Sequence, residues 1–380
     1  MRFIFIPVAF LLYSSLCAYI GIKLFGFLNY FFPGIPVIIY WIVYAFICFA
    51  LVFISFSGNN LSFLQKAGSI WMAVFFYMIM LLAVSDVVRL CLFIFGKHIN
   101  NFNLYAVGES LFLCVILIVF GMLNAHTIRT VNYDITLSGK SENLRIALVS
   151  DLHIGSTVNK KWVEKITAEI NNANPDMVCI AGDIFDGNID GIADLQGVIS
   201  ALKNINAPLG VYASLGNHDV DRMLSGGTER IENILKSAGI ILLIDEAQEI
   251  KDGLYITGRK DARPIGIGMS EHRKTAAELC GNLNGTIIML DHQPVDFESE
   301  AQAGVDLLLC GHTHKGQVFP ATLMTRFIFR RAGSTYYGYW KQDGNPMQAV
   351  VTSGAGVWGP PLRIGSNCEV AVIDIAFVVQ

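Results

Sequence analysis

The sequence predicts an α/β domain of layered sheets preceded by an all-helical membrane region of about four spans. Charge is nearly absent from the first third: residues 1–125 hold five Lys/Arg and two Asp/Glu, against 22 and 29 in residues 126–380. Apolar stretches long enough to cross a hydrocarbon core of ~30 Å fill that third. Beyond it, short apolar runs alternate with amphipathic helical stretches and end in an all-strand tail. The boundary is expected near residue 125, with 1–125 as the membrane region and 126–380 as the globular domain.

Composition narrows the class. Of the 380 residues 53% are hydrophobic, and the mean hydropathy of +0.50 is too high for an ordinary soluble protein. The 126–380 part carries a net charge of −7 (22 − 29), which argues against a nucleic-acid partner because such partners need a basic face. The eight cysteines form no framework. Cys17, Cys48, Cys91 and Cys114 lie in apolar spans, Cys179 and Cys310 in expected core strands, and Cys280 and Cys368 at no recognisable pairing distance. The absence of CxxC favours a reducing compartment without excluding the periplasm.

The first span runs from about Phe3 to Phe27. Only Arg2 precedes it and no small-residue cleavage site follows, so a retained helix is expected rather than a cleaved signal. Phe32–Pro36 is a turn, Val37–Phe56 the second span, and Ser57–Gly68 a polar loop. Ile70–Phe95 is the third span, Gly96–Asn103 a second loop, and Leu104–Leu123 the fourth span. Asp86 and Arg89 are three residues apart, so they share a helix face and are expected to pair and fix helix packing; the alternative is a substrate or ion role. With four spans both termini share a side, where Arg2, Lys66, Arg129, Lys140 and Arg145 gather against Lys23 and Lys97 opposite. That bias puts the domain in the cytoplasm.

In the domain, His126–Ser141 alternates as a strand or hairpin and Leu144–Ser150 is a buried strand. Lys160–Asn172 is a helix with Val163, Ile166 and Ile170 as its stripe. Strand Pro175–Ala181, helix Ile192–Lys203, strand Val211–Leu215 and helix Thr228–Ser237 follow. Ile240–Ile244 and Leu254–Gly258 are strands, Arg273–Gly281 a helix, Thr286–Leu290 and Val305–Cys310 strands. Met347–Ser353 and Cys368–Val379 close the chain.

Polar motifs stand at the ends of five of these strands: Asp151-Leu152-His153, Gly182-Asp183, Gly216-Asn217-His218-Asp219, Asp291-His292-Gln293-Pro294 and Gly311-His312-Thr313-His314. Asp151, His153, Asp183, Asn217, His292, His312 and His314 offer carboxylate, amide and imidazole ligands. A carboxylate can bridge two cations, and Gly182 lets the backbone turn sharply before Asp183. A mixed Asp/Asn/His set suits Mn, Fe or Zn better than Ca, and the lack of thiolates argues against a structural Zn site. Any one Asp-x-His is a common coincidence, and His98, His126 and His272 read as ordinary. Five of the eight histidines nevertheless fall inside these motifs.

On these motifs residues 126–380 resemble the calcineurin-like metallophosphoesterases. The tail Ser353–Arg363 resembles that of the membrane-associated bacterial branch, which includes phosphodiesterases. The resemblance implies a four-layer fold, two packed β-sheets flanked by helices. It also implies two divalent metal ions: one held by Asp151, His153, Asp183 and His314, the other by Asp183, Asn217, His292 and His312, with Asp183 bridging. A hydroxide shared by the metals would attack phosphorus in line. His218 would protonate the leaving oxygen, with Asp219 orienting it or serving as a turn residue. Asp186 reads as a turn or supporting residue, and Arg363 as a phosphate contact or a structural salt bridge. Arg326, Arg330 and Arg331, with Phe327 and Phe329, fit a headgroup surface or an ordinary solvated face with two core aromatics. The resemblance implies a metal-dependent hydrolase of a phosphodiester, phosphomonoester or pyrophosphate, including lipid-linked ones, since it extends to hydrolases that split UDP-diacylglucosamine. The contrasting reading is a membrane sensor or scaffold whose domain only binds; the intact ligand set argues against it.

Overall fold

The structure is a computed structural model that describes residues 2–56, 62–139, 141–186, 189–220, 227–251, 253–262 and 273–378. Lys140, His272 and the start of the loop after the second span lie outside the described residues. The chain divides into two compact units, Met1–Gly121 and Met122–Gln380.

The first unit is built from α1 (Arg2–Phe31), α2 (Val37–Phe56), α3 (Ser62–Ile94) and most of α4 (Phe102–Ala125). Among the described residues, three stretches, Pro7–Phe31, Lys66–Ile94 and Phe102–Ala125, are long and apolar enough to cross a membrane, while Val37–Ala50 is a shorter apolar stretch. Gly21 lets α1 and α2 approach, since a Cβ there would stand 2.7 Å from the Tyr44 ring. Tyr40 and Tyr44 donate across that contact to the carbonyl oxygens of Gly21 and Cys17. Asp86 does not pair with Arg89 as its spacing suggested. Its carboxylate takes Lys23 at 2.6 Å and the Tyr19 hydroxyl at 2.6 Å, both from α1, while Arg89 donates to Asn103 at 3.1 Å. A lysine of a neighbouring helix can meet the carboxylate head-on, whereas Arg89 lies one turn further toward the helix end.

The second unit holds two six-stranded mixed sheets. The first joins β1 (Ile128–Ser138), β2 (Leu144–Val149), β3 (Met177–Ala181), β4 (Val211–Ser214), β5 (Ile241–Leu242) and β12 (Cys368–Val378), in the order β1-β12-β2-β3-β4-β5. The second joins β6 (Glu246–Lys251), β7 (Leu254–Gly258), β8 (Thr286–Leu290), β9 (Leu307–Cys310), β10 (Gly338–Lys341) and β11 (Gln348–Val351), in the order β10-β11-β9-β8-β7-β6. All five residues of β3 and of β8 are buried, as expected of strands covered on both faces.

Helices cover the outer faces: α5 (Lys160–Asn172), α6 (Leu195–Lys203) and α7 (Gly227–Ser237) on the first sheet, α8 (Ala276–Cys280) and α9 (Phe297–Gln302) on the second. Ile146, Leu148, Ile288 and Leu309 belong to the apolar layer between the sheets. Each such side chain removed from water contributes roughly 1.5–3 kcal/mol. The layering is thus helix, sheet, sheet, helix, the four-layer order the family resemblance implies. Strand β1 is one continuous strand and not a hairpin, because it pairs in parallel with β12 along its whole length. Strand β6, strand β10, α9 and α10 (Ala321–Arg331) were not anticipated from the sequence.

Candidate metal centre

Parallel strands deliver the motif residues to one end of the two sheets. Asp151 and His153 follow β2, Asp183 follows β3, Asn217 and His218 follow β4, His292 follows β8, and His312 and His314 follow β9. Backbone bonds tie these loops together: Asp151 N–H donates to Gly182 O, His153 N–H to Asp183 O, and Gly311 N–H to His292 O.

Five of these residues lie in the left-handed backbone region: Asp151 (φ 52°), His153 (46°), Asp183 (52°), His312 (69°) and His314 (48°). Such a conformation costs a non-glycine residue on the order of 1–3 kcal/mol. It turns the chain sharply just beyond the strand ends, where these side chains gather. The preceding glycines make room. A Cβ on Gly216 would stand 2.2 Å from Asp183 Oδ1, and one on Gly311 would stand 1.8 Å from Ser150 Oγ.

Among the described residues, potential ligand atoms converge in three groups: Asp151/His153/His314, Asp183/His292/His312, and a more open one of His153, Asp186 and His218. In the first, His153 Nε2 lies 3.1 Å from His314 Nε2, and His314 Nε2 lies 3.3 Å from Asp151 Oδ1. In the second, His292 Nε2 lies 3.1 Å from Asp183 Oδ2. The same Asp183 oxygen lies 3.7 Å from His153 Nε2, so one carboxylate faces both groups. Two ligands each about 2.1 Å from one cation stand roughly 3.0–3.4 Å apart, the spacing seen here.

The donor set also fits a cation by what it leaves unpaired. Asn217 Oδ1 and His292 Nε2 are buried without a hydrogen-bond partner, although His292 Nε2 sits close to Asp183. His292 Nδ1 is engaged by the carbonyl oxygen of Ala181 at 2.7 Å, which aims Nε2 inward. Burial pushes the His153 imidazole down to about 3, and burial with the neighbouring His292 pushes His312 down to about 4. Both rings are therefore neutral near pH 7, as ligation requires. Burial alone would raise Asp151 and Asp183. The adjacent His314 and His292 outweigh it and hold both carboxyls below the usual range. His292 moves upward: burial opposes its charge, but Asp183 in contact overrides that.

Arg363 sits differently from its sequence reading, while Asp219 takes the turn role and Asp186 the supporting role that were the alternatives. Asp219 does not orient His218. It is fully buried, and its carboxylate accepts from the backbone N–H groups of Ile184 (3.0 Å), Phe185 (2.8 Å) and Gly216 (2.9 Å). Burial and the Asp183 charge push its carboxyl up to about 7 against those amides. The carboxylate beside His218 is Asp186, whose Oδ1 lies 4.0 Å from His218 Nδ1 and 3.8 Å from His153 Nδ1. Arg363 is neither a phosphate contact nor part of a salt bridge. It is fully buried, and its donors go to the carbonyl oxygens of His314, Gly354 and Gly356.

The His218 side chain is 15% exposed, its backbone N–H on Asp183 Oδ1 at 2.8 Å and its ring 5.8 Å from that of the exposed Trp358. The Arg259–Asp291–Glu300 network behind His292 was also missed. Only Asp291, beside His292, carried a sequence signal.

The profile of the calcineurin-like phosphoesterase family matches residues 144–316, which include all these strand ends. An uncharacterized metallophosphoesterase of Aquifex aeolicus is 30% identical over 269 residues, covering 70% of this chain and 98% of that protein. One of Campylobacter jejuni is 27% identical over 295 residues, 76% of each chain. A Danio rerio protein named as a transmembrane protein with a metallophosphoesterase domain is 31% identical over 281 residues, 70% of this chain and 61% of its own length.

Proposed function

This chain belongs to the calcineurin-like metallophosphoesterases, a family of metal-dependent hydrolases, and on that premise we propose that it is a membrane-bound enzyme cleaving a lipid-linked phosphodiester, phosphomonoester or pyrophosphate. The observation that carries the reading is the place of Asp183, one buried carboxylate facing two His/Asp groups at once. Residues 1–125 would hold the domain of residues 126–380 at the membrane, on its cytoplasmic side.

Asp151, His153, His314 and Asp183 would hold one divalent cation, and Asp183, Asn217, His292 and His312 the other. The set favours Mn, Fe or Zn. When bound, such a pair supplies Lewis acidity, lowering the pKa of water and neutralising phosphoryl charge. The chain supplies the rest. Asp183 is fixed by the His218 N–H, and Asp151 by the His312 N–H at 2.9 Å. His218 would give a proton to the departing oxygen, and Asp186 faces its Nδ1. The exposed Trp358 beside His218 offers an apolar wall to the leaving group.

The test is hydrolysis by full-length protein purified in detergent with Mn²⁺. A soluble aryl phosphodiester is compared with lipid-linked phosphodiesters and pyrophosphates in mixed micelles, and Asp183→Asn serves as control. Turnover of the lipid substrate, lost in the control, is the expected result. Turnover of the soluble ester alone would keep the enzyme and remove the lipid substrate. No metal-dependent turnover of either would favour a sensor or scaffold.

A further inference from the structure

Helix α10 is amphipathic in the wrong sense for a soluble protein. None of its eleven residues is buried. Ala321, Thr322, Thr325 and Phe329, which share one face at helical spacing, are partly covered. The opposite face carries Leu323, Met324, Phe327 and Ile328, which are 56%, 64%, 64% and 57% exposed. Arg326 and Arg330 line one margin of that apolar stripe, Arg331 stands within it four positions after Phe327 with its guanidinium 6.0 Å from that ring, and the first turn holds no acidic residue. Water gives such a face nothing to bury, and an isolated helix of this length is marginal on propensity alone.

Resting on the membrane-bound reading above, we infer that α10 is an interfacial helix that lies in the surface of an anionic lipid bilayer. Apolar residues on one face with arginines at its margin are what a headgroup boundary accommodates. The chain itself brings a bilayer near, because α4 ends at Ala125 and β1 begins at Ile128, with only two residues between. The root of α10 is part of the metal-site loops. His314 stands seven positions before Ala321, and Val318 bridges Ile364. Gln317 exchanges hydrogen bonds with the backbone of Trp358, accepting from its N–H at 3.0 Å and donating to its carbonyl at 2.7 Å. Trp358, half exposed, is the residue whose ring lies against His218. A bilayer that takes up α10 therefore meets the same loops that carry His314 and flank His218, and a phosphoester in a lipid headgroup would reach the site from that side.

The experiment places an environment-sensitive NBD fluorophore at Ile328→Cys in a Cys91→Ser background, since the other cysteines are buried. The full-length chain is reconstituted in phosphatidylglycerol-containing nanodiscs. Met324→Cys gives a second outward position, and the exposed Lys161→Cys on α5 gives the control. Both α10 labels are expected to shift to the blue and to be quenched by brominated lipid, while the Lys161 label is not. Exchange of Arg326 and Arg330 for Gln is expected to weaken insertion by roughly tenfold or more in anionic lipid and little in phosphatidylcholine. Labels at 324 and 328 as water-exposed as the control overturn the inference. So does protection that depends on protein concentration without lipid quenching, which would identify a second copy as the occupant. Failure of the chain to co-elute with lipid overturns the membrane reading and this one together, and is seen before any fluorescence is read. None of these signals depends on hydrolysis.

Discussion

Arg363 donates a hydrogen bond to the backbone carbonyl oxygen of His314 over 3.0 Å, from a position completely shielded from solvent. The same guanidinium reaches the carbonyl oxygens of Gly356 at 2.6 Å and Gly354 at 3.3 Å. The Arg363 carbonyl oxygen in turn accepts from Asn124 Nδ2 at 2.9 Å. A planar fork with five donors is suited to gather several carbonyls at once, and here it fixes the loop in which His314 adopts φ 48°.

Arg363→Met is therefore expected to act on the metal centre through its backbone. Each of the three carbonyls loses one donor and keeps another, the Gln317 N–H on His314, the Glu369 N–H on Gly354 and the Cys368 thiol on Gly356, so about 0.5–1.5 kcal/mol is lost per hydrogen bond. Metal content per chain, read by mass spectrometry, should fall toward half, with the Asp151/His153/His314 group losing its ion first. Thermal unfolding in detergent should start earlier. A variant with full metal content and unchanged unfolding would remove this role from Arg363.

For Asp219 the sequence offered two roles, orienting His218 or holding a turn, and the structure shows it accepting from three backbone amides. In Asp219→Asn one acceptor oxygen becomes an NH₂ group facing backbone N–H, so stability should drop by about 1–3 kcal/mol. The pH profile of kcat should keep its shape, since no Asp219 oxygen addresses the imidazole. An unchanged melting temperature with a displaced pH limb would return Asp219 to the orienting role.

These two residues show what was legible in the sequence and what was not. The candidate ligands announced themselves because each motif follows an apolar strand run, and Asp183, Asn217 and His312 stand directly after a glycine, a pattern visible within a few residues. Strands β3 and β8 were legible for the same local reason, being apolar on both faces. Strand β6 was not, since Glu246, Glu249 and Lys251 on an edge carry no apolar alternation. Helix α10 was hidden because its eleven residues have no side-chain cap and mix Thr and Arg among the apolar positions. Partners were the hardest to read: Asp86 takes Lys23, 63 positions away, and Asp219 takes Phe185, 34 away. Nothing in the local sequence separates those pairings from the nearer alternatives, Arg89 and His218.

His218 is the residue that should split chemistry from assembly. Replacement by Asn is expected to lower kcat by roughly 10²–10⁴-fold for alkyl esters, whose leaving oxygen needs a proton. For nitrophenyl esters, which leave as stable anions, the loss should be much smaller. Metal content should stay at the wild-type value, because the ring belongs to neither group built on Asp183 and Asp151. An equal loss on both ester classes, or loss of metal, would show that His218 positions or ligates instead.

A cluster of buried charges adjoins His292 through its neighbour Asp291. Arg259, 3% exposed, donates to Asp291 at 3.0 Å and to Glu300 at 3.0 Å, and Arg273 contacts the same Asp291 carboxylate. Burial first, and then the Asp291 charge, push the Glu300 carboxyl well above its usual range, while Arg259 pulls it back. A carboxyl raised in the folded state contributes stability that is complete below its unfolded value and is lost as pH rises through the folded one. Arg259→Met removes the opposing cation, so the folded value of Glu300 rises further and the penalty grows with pH from about 4 upward. Near neutral pH the variant should lose roughly 3–5 kcal/mol, the cost of stranding one partner of a buried pair. Adding Glu300→Gln should recover part of that loss and flatten its pH dependence, because the uncompensated carboxylate is then gone. Denaturant unfolding of the two single variants and the double variant at acid and neutral pH checks this, with the coupling taken from the cycle. Strict additivity at both pH values would mean that Arg259 holds Asp291 alone and that Glu300 is protonated without its help.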